Sequence, residues 1–76
     1  MENKLNLEFI KERRLRLGFT LEEMADELGY KNASTYFNYE KGVCDFKANQ
    51  LPIICSKLNC TLNELFLYPS FAKIAN

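Results

Sequence analysis

The sequence predicts an all-α fold of five short helices joined by tight turns, and three observations carry that prediction. Apolar residues recur at helical spacing, while no segment alternates in the manner of a strand. Two S/T-x-x-E signatures, Thr20 with Glu23 and Thr61 with Glu64, mark helix starts. Gly18, Gly29 and Gly42 stand where the periodicity stops, as residues that end helices do.

The first helix spans about Leu7 to Leu17, with Asn6 as N-cap and Gly18 as its stop. Ile10 and Leu17, seven apart, share a face flanked by Phe9. The second helix opens at Thr20, buries a stripe of Leu21, Met24, Ala25 and Leu28, and ends at Gly29. A third, Ala33 to Glu40, is capped by Asn32 and has Gly42 just past its end. The fourth covers roughly Asn49 to Leu58. Pro52 is harmless only in a first turn, which sets that start. The fifth is "TLNELFLY", residues 61–68, closed before Pro69. One domain is expected over residues 1–76, with its core at about 7–67 and a tail over 68–76.

Composition narrows the function. The apolar fraction of 47% suffices for one small core, and 26% charged residues suits a water-soluble chain. No apolar run approaches the roughly 20 residues of a membrane span. The start "MENKLNLEF" has no signal-peptide layout, so a cytoplasmic location is expected. The net charge is zero, which disfavours an indiscriminate polyanion binder. Charge is unevenly distributed: "KERRLR" is basic, "EEMADE" is acidic, and Lys31, Lys41 and Lys47 are basic again. Cys44, Cys55 and Cys60 form no CxxC, and there is no histidine, so a zinc site is not expected and the thiols read as free and at least half-buried. No Gly-rich phosphate loop and no GxSxG are present. An enzyme, a cofactor and a small-molecule ligand are therefore not expected.

Helices two and three are joined by "LGYKN". Ala25, small, lets them cross closely, and Gly29 permits a left-handed turn, which is the logic of a helix-turn-helix. Together, "FIKERRLRLGFTLEEMADELGY", "STYFNYEKG" and "LPIICSKLNCTLNELF" resemble the Cro and lambda-repressor-type DNA-binding domains of the Xre family over about residues 7–67. The resemblance implies a five-helix lambda-repressor-like module, usually dimeric, that regulates transcription in bacteria or phages. Three departures stand out. Leu21 replaces a common Gln, the turn "GYKNAST" is one residue longer than usual, and the following loop carries Asp45 where the family is often basic. Modest affinity for the DNA backbone is the expected result.

On a wheel of 100° per residue, Ala33, Ser34, Phe37, Asn38 and Lys41 fall within an arc of about 140°. Tyr36 and Tyr39 lie opposite, where the family packs apolar residues. The resemblance places Ala33, Ser34, Phe37 and Asn38 toward the major groove. Asn38 can pair with adenine, Ser34 can bond several base edges, and Ala33 and Phe37 can pack on thymine methyls. Phosphate contacts are expected from Thr20, Lys31, Asn32, Lys41 and Lys47. By the same resemblance, Arg14 pairs inward with Glu40, while Lys11, Arg13 and Arg16 stay solvated. Leu67, Tyr68, Phe71 and Ile74 exceed what the core needs and are expected to form a two-fold dimer interface.

These expectations add up to a Cro-like repressor of a phage or mobile element, binding double-stranded DNA as a homodimer on an inverted repeat. The alternative is a helix-turn-helix-fold interaction module with little DNA reading: an antirepressor, a regulatory partner or an antitoxin-type subunit. Neutral charge, Leu21 and the acidic second helix point that way.

Overall fold

Four α-helices make up the body of the computed structural model, which describes residues 5–66. They are α1 (Leu7–Leu17), α2 (Leu21–Leu28), α3 (Ala33–Glu40) and α4 (Leu51–Leu58). Short 3-10 turns occupy Ala48–Gln50 and Asn63–Leu65, and an isolated antiparallel bridge joins Leu5 to Phe66.

Polar side chains start the first three helices. The Asn6 side chain accepts from the Phe9 amide at 3.0 Å, and Asn32 Oδ1 accepts from the Thr35 amide at 2.9 Å. At α2 the capping box is complete: Thr20 Oγ1 accepts from the Glu23 amide at 3.0 Å while Glu23 Oε1 accepts from the Thr20 amide at 2.8 Å. Each such cap satisfies donors that helix geometry leaves without partners, and is worth about 1 kcal/mol.

All four helices end alike. The amides of Phe19, Tyr30, Val43 and Cys60 each reach back to the carbonyl five residues earlier, on Arg14, Ala25, Asn38 and Cys55, at 2.8–3.0 Å. The residue before each of these amides adopts positive φ: Gly18 at 80°, Gly29 at 81°, Gly42 at 91° and Asn59 at 54°. These are Schellman ends, in which a left-handed residue satisfies the last carbonyls and folds the chain back on itself. They explain how helices of only 8 to 11 residues are joined with so little connecting chain.

The core is one cluster: Ile10 from α1, Met24 and Ala25 from α2, Tyr36 from α3, Ile54 and Leu58 from α4, with Phe46 and Leu65 from the connections. The α2 stripe points inward as predicted, with Leu21 and Leu28 half-buried beside the fully buried Met24 and Ala25.

The predicted fifth helix is a single 3-10 turn. Thr61 and Glu64 do form the expected capping pair, at 2.8 and 3.3 Å. Phe66 then turns extended, at φ −108° and ψ 140°, and pairs with Leu5, while the Asn6 amide donates to the Leu65 carbonyl at 2.6 Å. Leu65 is buried and Phe66, its neighbour, also packs on the core. Pairing with Leu5 and the bond from the Asn6 amide hold the backbone extended at this point, so the helical turn does not propagate beyond Leu65. The remainder of that predicted helix, and the dimer residues Leu67, Tyr68, Phe71 and Ile74, lie outside the described residues.

Four smaller expectations are corrected. The α-helical part of α4 begins at Leu51 rather than Asn49, with Pro52 in its first turn and a 3-10 turn ahead of it. Leu17 is 43% exposed: it is the last residue of α1, and Arg14 takes the inward position beside Ile10. Arg13 is not simply solvated. Its Nε and Nη2 donate to the carbonyls of Leu58 and Asn59 at 3.0 and 2.7 Å, capping the end of α4. Cys44 is exposed, like Val43 beside it, in the turn whose two amides donate to the Asn38 carbonyl at 2.9 and 3.2 Å; Cys55 and Cys60 are half-buried.

Candidate nucleic-acid interface

The inner face of α3 is fixed by an ionic cluster. Arg14 Nε donates to Glu40 Oε2 at 2.8 Å and Nη2 to Oε1 at 3.1 Å, a two-pronged pair. The Tyr36 hydroxyl donates to Glu40 Oε2 at 2.7 Å, and Arg14 Nη1 donates to the Phe19 carbonyl at 3.0 Å. Arg14, Tyr36 and Glu40 are all buried. Hydrogen bonding to Glu40 raises the Arg14 pKa further, and burial raises that of Tyr36. A charge pair withdrawn from water adds little net stability, but with each guanidinium nitrogen and both carboxylate oxygens hydrogen-bonded it fixes one orientation. Here it ties α1 and the start of α2 to α3.

A second wedge sets the other end of the turn. Tyr30, in the α2–α3 connection, stacks on Tyr39 of α3 with centroids 4.7 Å apart and planes 10° from parallel. Phe46 lies against both Tyr36 and Tyr39, at 6.1 and 5.5 Å. The longer turn is thus filled by its own aromatic residue. The Tyr30 hydroxyl is buried with no hydrogen-bond partner among the described residues.

The outer face contrasts with this. Side-chain hydrogen bonds from α3 involve Thr35, Tyr36 and Glu40, whereas Ser34 and Asn38 make none among the described residues. Ser34 is exposed, Ala33 and Asn38 are half-buried, and Phe37 is 41% exposed. Lys41 follows on the same side, its ammonium 4.8 Å from the Phe37 ring centroid. A hollow of about 310 Å³ between α1 and α3 is lined by Leu7, Glu8, Lys11, Phe37, Glu40 and Lys41. The structure thus places Ala33, Ser34, Phe37 and Asn38 on α3, with Lys41 as the residue that caps its end.

The residues read as phosphate contacts are spread around it. Lys31 and Asn32 precede α3; Lys41 follows it; all three are exposed. The Asn32 carbonyl oxygen is used in capping, accepting from both the Thr35 amide and hydroxyl, which leaves its amide group to donate outward. Lys47 is exposed after the anchored Phe46. Among the described residues the ion pairs are Arg14–Glu40 and Lys57–Glu27, so Lys31, Lys41 and Lys47 are uncompensated. Thr20 is different. Its amide and that of Glu23 are consumed by the capping box, and Glu22 and Glu23 both stand in the first turn. Those carboxylates already answer the positive end of the α2 dipole and repel a phosphate. Leu21 turns inward onto the core.

Sequence reasoning missed two contributions. Arg13 reaches across the fold to residues 58 and 59, a contact with no local signal. The Phe37–Lys41 stack had one, since an aromatic residue and a lysine four apart share a helix face.

Among the described residues no helix is long and apolar enough to cross a membrane, and no group of His, Cys, Asp or Glu could hold a metal ion. No curated protein and no solved structure matches the chain. A family model described as helix-turn-helix matches residues 10–65, which run from the buried Ile10 to the buried Leu65 and take in the whole α2–turn–α3 unit. The chain belongs to the Xre, Cro and lambda-repressor-type helix-turn-helix family of DNA-binding regulators.

Proposed function

We propose that this protein is a sequence-specific transcriptional repressor of a phage or mobile element, binding an inverted-repeat operator as a homodimer. The observation that carries the reading is the outer face of α3, where Ser34 and Asn38 make no side-chain hydrogen bonds among the described residues, while Tyr36 and Glu40 of the inner face are bound to each other and Glu40 to Arg14. In the major groove Asn38 pairs with an adenine, Ser34 bonds a base edge, and Ala33 and Phe37 make apolar contacts. Lys31, Asn32, Lys41 and Lys47 set register on phosphates, with Thr20 a weaker contributor for the reason given above. A module this small gains specificity by pairing half-sites about 10 bp apart.

The test is binding to duplexes recovered from a random-sequence pool, measured across salt concentration. Three lysines per protomer give a dimer a slope of log K against log salt of about −5. Asn38→Ala should weaken the specific complex about 5- to 150-fold, from roughly 1–3 kcal/mol for a bidentate pair. A second reading, an interaction module with little DNA reading, is favoured by the self-capped acidic start of α2. Binding that is absent, or indifferent to Asn38→Ala, would transfer the assignment to it.

A further inference from the structure

Phe37 is the one large hydrophobic side chain of α3 that is exposed, at 41%. Lys41, one turn later, holds its ammonium 4.8 Å from the ring centroid, and the hollow walled by Leu7, Glu8, Lys11 and Glu40 opens alongside. A cation over an aromatic face is attracted by the ring's quadrupole, which limits the ring's freedom to turn away. Lys41 therefore occupies part of the ring and leaves the rest facing outward on the arc shared with Ser34 and Asn38.

The major groove is lined with hydrogen-bonding groups, and its apolar element is the C5-methyl of thymine. Ser34 and Asn38 cannot detect that methyl, because thymine and uracil present the same O4 acceptor. A restrained, outward aromatic ring can. The same ring would meet the methyl of 5-methylcytosine, which occupies the same position on the pyrimidine.

We infer that Phe37 and Lys41 form one unit that senses the C5 substituent of a pyrimidine, making binding depend on the methylation state of the DNA. Thymine and 5-methylcytosine are favoured over uracil and cytosine at the base facing Phe37. The inference rests on the placement of α3 in the major groove proposed above. Lys41 acts here as a positioning residue for the ring.

The test uses a duplex recovered by the full chain from a random-sequence pool. It is resynthesised with each thymine in turn replaced by deoxyuridine, and each cytosine by 5-methylcytosine. Loss of one buried methyl weakens binding about fourfold at one position of the half-site. With Phe37→Ala that ratio falls to one, and with Lys41→Met, which keeps the stem and removes the charge, it shrinks. Circular dichroism confirms that both variants are folded, and the exchange series on the unaltered protein needs neither. A recovered duplex indifferent to every thymine-to-uracil exchange overturns the inference and leaves the repressor reading standing. So does a ratio unchanged in Phe37→Ala. If no duplex is recovered, the proposed function fails and this inference fails with it.

Discussion

The two helices of the motif, α2 and α3, have the same length, a side-chain cap each and the same Schellman end, yet the first turn of α2 is acidic and that of α3 carries no charge. Glu22 and Glu23 stand at the start of α2, and Glu23 folds back to close its own cap. The start of α3 has no acidic residue and is preceded by Lys31. One helix answers its own dipole and the other leaves it unanswered. Cap and length alone would have made them interchangeable. The charge in the first turn separates a helix that braces from one able to meet a polyanion.

The largest effect should come from unseating α3. Arg14→Met leaves Glu40 buried without its cation and should cost about 3–5 kcal/mol, read as a lowered urea midpoint with an unchanged slope. Tyr36→Phe removes a single bond to the same carboxylate and should cost about 1.5–3 kcal/mol. If Arg14→Met were harmless, the inner face would not be what orients the helix.

The charge contrast is tested more directly at α2. Glu22→Gln should strengthen DNA binding a few-fold while reducing stability by about 0.3–1 kcal/mol, because the same carboxylate supports the helix dipole and opposes phosphate. Equal movement of both in one direction would remove the contrast. Tyr30→Phe is a smaller change, expected to be neutral or slightly stabilising in denaturation, since the lost hydroxyl is buried without a partner among the described residues.

A separate effect, confined to high pH, is on alkaline stability. Burial pushes the Cys60 thiol from its ordinary 9.0 up to about 11, and raises Tyr36 above 10.0. Folding therefore favours the protonated forms. Their contribution is complete below the unfolded values and is lost as pH rises through the folded ones. Urea midpoints should fall from about pH 9 upward, and Cys60→Ser should flatten the part between 9 and about 11.

Much of the fold could be read from local chemistry. Asn6, Thr20 and Asn32 act within three residues of themselves, and glycine is the cheapest residue for a left-handed stop, so the bounds of α1, α2 and α3 followed from the sequence. Failures arose where distant partners decide. The chain after Thr61 has a helix start signal, but Leu5 claims Phe66 from the other end of the fold. Arg13 looked like one member of a solvated basic run until α4 presented its open carbonyls. At the candidate interface, the two-sided character of α3 was visible in the period of its side chains and the α2 capping box in its T-x-x-E signature, whereas the stacking of Tyr30 on Tyr39 required the folded geometry.

The Leu5–Phe66 bridge, with the short Asn6 to Leu65 bond beside it, also has a mechanical meaning. It clasps the chain where the four helices begin and where they finish, so the segments that continue on either side leave from one point. Tension applied through those segments is borne by this clasp before it reaches any helix. A pull on either end thus strains the base of the molecule and leaves the seat of α3 undisturbed until the clasp gives way.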